Sequence, residues 1–179
     1  ARSGLYHISD EAYEYFLHDG GEHFSPGSMS GASEHTLSLF SLSKAYGMAG
    51  WRVGYSVVPN HLLDGIKKVQ DTNLICPPIV CQVAATAALG VGSKWCHDQI
   101  SGLSKVRDTA LQTLADLGDR CHISRPRGAF YLFLDLQTTQ DDMALVETLI
   151  REFKVAVLPG SAFGVSGGCS LRLSYGALD

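Results

Sequence analysis

The chain has 179 residues, of which 45% are hydrophobic and 18% charged, and its formal net charge is −4. That is the composition of a globular protein of one ordinary domain or two small ones, long enough to bury a core. The acidic balance, with no basic run, excludes general attraction to nucleic acid or an anionic membrane, and no apolar run is long enough to cross a bilayer.

The opening Ala1–Tyr6 has no signal-peptide shape. Leu5–Ile8 then reads as a short buried strand. Asp10 follows it at once, with Glu11, Ala12 and Tyr13 behind. Ligands of open parallel α/β sheets gather at the carboxyl ends of strands, so Asp10 is a candidate counter-charge there. On its own it could equally cap a helix beginning near Glu11. His18–Glu34 is rich in Gly, Ser and His and reads as a surface loop. Its histidines, with His35, lack metal-ligand spacing and are expected to be solvated.

Leu37–Leu42 is the next strand, with Lys44 at its end and Trp51–Val58 as its expected neighbour. The stretch Leu39–Tyr55, LFSLSKAYGMAGWRVGY, holds two cations, Lys44 and Arg52, eight positions apart among residues that favour burial. A buried unpaired ammonium is costly, so it pairs or sheds its proton. A phosphorylated cofactor carrying an aldehyde would answer both charges. Arg52 would grip the phosphate as a planar fork, and Lys44 would attack the aldehyde.

Pro59 and Asn60 break the strand, and Leu62, Ile66 and Val69 follow at helical spacing, with Asn60 a plausible N-cap. Pro78 suits a first helical turn, and Ile79–Leu89 is apolar nearly all round. Such a helix is expected to be buried on several sides, in part against a partner subunit. Leu103, Val106, Ala110, Leu114 and Leu117 form an apolar stripe that Gly118 ends. Beyond it come an aromatic strand, Ala129–Leu136, and a helix capped by Asp141 or Asp142. Val155–Leu158 and Leu171–Tyr175 are two more strands. Arg172 alternates with Leu171 and Leu173, so it faces away from any core those leucines build. The five cysteines form no C-x-x-C pair, and neither the Cys76/Cys81 pair nor Cys96 beside His97 makes a zinc pattern. Reduced, mostly buried thiols of a cytoplasmic protein are expected.

The segment S-x-S-K-x-x-x-M-x-G-W-R-x-G-Y resembles the lysine signature of the class I/II aminotransferases, pyridoxal-phosphate enzymes of fold type I. The resemblance implies roles at the matching positions. Lys44 would be the Schiff-base lysine and general acid/base, and Ser41 and Arg52 would contact the cofactor phosphate, with Ser43 assisting. S-D-E-x-Y resembles the segment whose aspartate pairs with the pyridine nitrogen, here Asp10, and whose tyrosine meets the phenolic oxygen, here Tyr13. An Asp carboxylate there keeps the ring protonated and therefore an electron sink. L-R-x-S-Y resembles the segment whose arginine, here Arg172, clamps the substrate α-carboxylate through two parallel donors. Two further stretches match family patterns. They are P-x-G-x-F-Y-x-F around Phe130, Tyr131 and Phe133, and V-x-x-x-P-G-x-x-F at Val155, Pro159, Gly160 and Phe163.

The resemblance implies an α/β fold. Residues 1–93 would belong to a large pyridoxal 5'-phosphate domain with a mainly parallel sheet, 94–118 to a connecting helical region, and 119–179 to a small α+β domain. Family members are longer, so the chain is expected to be part of a homodimeric enzyme whose other segments complete the site. The implied reaction moves an amino group between an amino acid and a 2-oxo acid. A C–S lyase would share Lys44, Asp10 and Arg52 but direct the carbanion to elimination. An aminotransferase-like sensor domain of a transcription regulator would keep the lysine without needing Arg172.

Overall fold

The computed structural model describes residues 4–176; the outermost residues of the expected domains, 1–3 and 177–179, lie outside them. The chain divides into two units, residues 1–17 with 21–100, and residues 18–20 with 101–179.

The first unit is built on three strands, β1 (His7–Asp10), β2 (Thr36–Ser41) and β3 (Gly54–Val57), in the order β1-β2-β3. β1 pairs with β2 in parallel and β2 with β3 antiparallel. One of the two pairings is thus of the expected parallel kind. Both outer strands are edges, and this corrects the reading of Leu5–Ile8 as buried. Leu5 lies outside the strand at 70% exposure, and Ile8 is 64% exposed. Three helices follow: α1 (Leu63–Asn73), α2 (Ile79–Val91) and α3 (Ser93–Ile100). Pro78 is the N-cap of α2 rather than a first-turn residue. Cys81, Ala84, Ala85 and Ala88 form a stripe at helical spacing that packs on Leu42, Met48 and Val53, directly beneath the Lys44 loop. The opposite face, with Ile79, Val80 and Val83, is exposed. Within this chain α2 is therefore buried along one stripe only, whose small residues Cys81, Ala84, Ala85 and Ala88 allow close approach.

The second unit has two layers. Helix α4 (Leu103–Leu114) runs into a 3-10 turn, Ala115–Arg120, broken at Gly118 by a positive φ of 54°. Then come β4 (Cys121–Ile123), β5 (Tyr131–Leu136), α5 (Asp142–Phe153), β6 (Leu158–Pro159) and β7 (Cys169–Ser174). The antiparallel sheet has the order β4-β5-β7-β6. Leu132, Leu134 and Leu171 point to one face and meet Val146 and Leu149 of α5 and Val106, Ala110 and Leu114 of α4. This is the expected α+β arrangement. The Val155–Leu158 strand shrinks to β6, which pairs with β7 only at Leu158 and Pro159. Asp141 is the N-cap of α5, accepting from the Ala144 amide at 3.0 Å. Among the described residues no single helix is long and apolar enough to cross a membrane.

The short excursion His18–Gly20 belongs to the second unit through polar contacts that burial makes selective. His18 is buried, not solvated as its loop context suggested. Its Nε2 lies 2.9 Å from the Ala129 carbonyl and 3.0 Å from the Tyr175 hydroxyl, and its Nδ1 lies 3.0 Å from Ser104 Oγ. Arg107 has no exposed surface, and its guanidinium grips both oxygens of Asp19, at 2.7 and 3.1 Å, as well as Asp108. Arg125 adds a second cation to the same two acids. A buried guanidinium is tolerated only when paired in this way.

Hydrogen bonds from Arg107 and Arg125 hold the Asp19 carboxyl well below its ordinary value of 3.8. The folded value lies under the unfolded one. This contribution to stability is therefore complete above about pH 4 and is lost as pH falls further. Asp19→Asn, which keeps the left-handed backbone of residue 19 (φ 57°) accessible, should lower the urea midpoint most near neutral pH. The gap to the parent should narrow progressively as pH falls below about 4, the unfolded carboxyl's range. A gap that did not change with pH would show that the pair does not act through charge.

Candidate active site

Pairing order brings the predicted residues to one edge of the first sheet. β1 and β2 are parallel, so their carboxyl ends lie together, with Asp10 opposite Leu39 and Ser41 two residues further on. β3 runs the other way and so begins at that same edge, Gly54 opposite Ser41. Gly54 is required there, since a Cβ would stand 2.5 Å from the Phe40 carbonyl oxygen. Arg52, two residues before it, takes a left-handed conformation (φ 54°) after the 3-10 turn Ala49–Trp51. Its Nη1 donates to the Ala49 carbonyl at 2.8 Å, which fixes the side chain at the sheet edge. Arg52 is exposed, whereas the sequence pattern suggested burial, because β3 is an edge strand.

Lys44 is held by its neighbours. Leu42 and Ala45 are buried at 1% and 5% exposure. The Gly47 amide donates to the Lys44 carbonyl, and the Met48 amide to that of Leu42. The loop is closed on itself and seated on α2. Tyr46 stacks on Trp95 of α3 and meets Tyr15 edge-on, so the first helix of the expected helical region 94–118 braces the segment from the side. Burial, with Tyr15 and Cys96 beside it, pushes the Tyr46 hydroxyl far above the ordinary phenol value and keeps it neutral. The half-buried Lys44 reaches across so that its Nζ lies 5.9 Å from the centre of the Tyr13 ring. Ser41 Oγ accepts from the Ser43 amide at 3.1 Å.

Asp10 ends β1 and accepts from the Ala12 amide at 3.1 Å, closing a turn rather than capping a helix. Sequence reasoning passed over its neighbour Glu11. That side chain is 1% exposed and is contacted by His23 Nε2 at 2.7 Å and by the Ser25 hydroxyl at 2.8 Å. Burial alone would raise the Glu11 carboxyl. Hydrogen bonds from His23, Ser25 and Ser38 outweigh it and keep the group below its ordinary value. Glu11 ties the loop after β1 to the turn that carries Asp10. The available signal was an acid directly behind a strand, with a His and a Ser one loop further on.

The donor set at this edge comprises a carboxylate (Asp10), a phenol (Tyr13), two hydroxyls (Ser41, Ser43), an amine (Lys44) and a guanidinium (Arg52). Their chemistry fits a pyridine nitrogen, a phenolic oxygen, a phosphate and an aldehyde, the four functions of pyridoxal phosphate. Arg172 belongs to the second unit. It lies on β7 opposite Phe133 and Leu158, on the sheet face away from the leucine core, as its alternation required.

The whole chain, residues 1–179, matches the family model "Aminotransferase class I and II". The aromatic aminotransferase ISS1 of Arabidopsis thaliana is 37% identical over 99% of this chain and 44% of its own length. The aspartate/prephenate aminotransferase of Thermus thermophilus is 35% identical over 96% of this chain and 43% of its own. The crystal structure of the aromatic aminotransferase from Pyrococcus horikoshii OT3 superposes with a TM-score of 0.87 at 32% identity, covering 99% of this chain and 48% of that one. The chain thus spans less than half the length of these relatives. With a match along its entire length and the same fold, it belongs to the class I and II aminotransferase family.

Proposed function

We infer that the protein to which this chain belongs is an aminotransferase that moves an amino group between an amino acid and a 2-oxo acid. One observation carries the reading: an amine, an acid, a phenol and a guanidinium gather at one sheet edge, on a chain whose relatives bear aminotransferase names. Family membership implies pyridoxal phosphate. When bound, it supplies an aldehyde that bonds to amines and a protonated ring that accepts electrons.

Each residue has a task that its position supports. Asp10 would hold the ring nitrogen protonated with its carboxylate. Tyr13 would donate its hydroxyl to the phenolic oxygen. Ser41 and Arg52 would bind the phosphate, with Ser43 adding a donor, and Arg52 would serve through its planar fork. Lys44 Nζ would anchor the cofactor and, once displaced by the substrate amine, would take the substrate α-proton and return it, which makes it the proposed general acid/base. Arg172 clamps the α-carboxylate. Residues 1–93 form part of the cofactor domain, 94–118 connect, and 119–179 form part of the small domain. The division between Ile100 and Ser101 falls inside that connecting region.

The names of the relatives direct the choice of substrates: an aromatic amino acid and aspartate, each with a 2-oxo acid acceptor. New amino acid formed in that assay supports transfer. Release of pyruvate or ammonia would instead support the eliminating alternative. The intact protein is further proposed to be a cytoplasmic homodimer, a reading supported by the exposed Ile79, Val80 and Val83 face of α2 and by five free cysteines. A monodisperse monomer of the full-length protein in sedimentation would remove it. In that protein Lys44→Ala should lower kcat on the order of 10⁴-fold, since proton transfer and anchoring are lost together. A rate within tenfold of the parent would overturn the assignment of Lys44.

A further inference from the structure

We propose that Tyr131 and Phe163 are positioning residues for the substrate carboxylate, their rings holding the Arg172 guanidinium so that its N–H edges stay open. The proposal rests on the reading of Arg172 as the carboxylate ligand. It gives a task to the aromatic residues of two sequence patterns that the cofactor chemistry leaves unused.

The guanidinium carbon of Arg172 lies 4.4 Å from the centre of the Tyr131 ring and 4.5 Å from that of Phe163, so it bridges the two. A guanidinium is weakly hydrated on its faces and is attracted to aromatic faces, while its five donors radiate in its own plane. Contact through the faces therefore restrains the side chain without spending a donor. Among the described residues Arg172 makes no ion pair and no side-chain hydrogen bond, in contrast to Arg107 and Arg125. An arginine that rings hold, with its donors uncommitted, is prepared to meet a carboxylate edge-on.

The rings themselves are held. Tyr131 sits on β5, one pleat along from Phe133, the direct partner of Arg172. Phe163 ends the 3-10 turn Gly160–Phe163, which is pinned from two sides. The buried Asp142 carboxylate accepts from the Ser161 amide at 2.8 Å and from its hydroxyl at 3.0 Å. Gly160 packs so closely that a Cβ there would stand 2.6 Å from Ser170 Cβ on β7. Phe163 then also meets Phe133 edge-on at 6.3 Å. The P-G-x-x-F pattern is thus a device for setting one ring against the strand that carries Arg172.

The test uses the full-length protein loaded with pyridoxal phosphate and the amino acid it turns over. Binding of succinate and 3-phenylpropionate, carboxylates without an amino group, is measured by calorimetry. Phe163→Leu and Tyr131→Leu should each raise KM and weaken binding of the better probe by roughly 3- to 30-fold, with a smaller change in kcat. Phe163→Tyr, which keeps the ring, should stay within about twofold, since both rings attract a guanidinium. In an Arg172→Lys background, Phe163→Leu should add less than about twofold, because the coupled pair is already broken. Unchanged probe binding in both leucine variants overturns the positioning role. So does a Phe163→Leu effect that persists undiminished beside Lys at 172. If Arg172→Lys itself leaves KM and probe binding unchanged, the carboxylate reading of Arg172 fails and the ring proposal falls with it.

Discussion

Parallel pairing of His7–Asp10 with Thr36–Ser41 is the constraint on which the first unit's chemistry depends. It aligns two carboxyl ends, and the antiparallel return through Gly54 brings a third strand's beginning to the same place. A slip of one residue between the two strands would put Asp10 and Ser41 on opposite faces of the sheet. Thr36 and Ser38 are buried and Leu42 nearly fully so, which gives β2 and its exit a firm register. The close approach of Gly54 to the Phe40 carbonyl adds a steric stop that only glycine satisfies.

Packing converts that register into a fixed position for Lys44. The stripe of small residues on α2 lets the helix approach Leu42, Met48 and Val53, so the lysine loop rests on a solid floor. Tyr46, Tyr15 and Trp95 brace it laterally through ring contacts. Reactive side chains are most precisely held when the residues around them are immobile, and here the amine is flanked in sequence by buried neighbours. Across the sheet edge, Glu11 does for the Asp10 turn what α2 does for Lys44, by hydrogen bonding rather than apolar contact.

The second unit places two arginines in contrasting surroundings. Arg107 is buried and tied into carboxylates on Asp19 and Asp108, an arrangement that fixes residues 18–20 in place. Arg172 sits on the opposite kind of surface, the sheet face without the leucine core, where aromatic rings rather than acids accompany it. The two side chains are identical. Their surroundings diverge because, among the described residues, Arg107 pairs with carboxylates and Arg172 with rings.

Much of this was legible in the sequence. The Lys44 signature was legible as a family resemblance, while the strand leading to it, the alternation of Arg172 and a helix cap at Asp141 or Asp142 follow from local spacing, since each depends on neighbours a few residues away. Burial was less legible. The exposure of β1 and β3, the single buried stripe of α2 and the deep burial of His18 depend on which elements become neighbours. Helix α3 was not singled out within the expected helical region 94–118, because its eight residues carry no clear apolar period. Residue order alone thus determined which chemical groups the chain carries and on which kind of element. Only tertiary structure decided which groups meet, because strand direction and helix packing join residues that sequence separation keeps far apart.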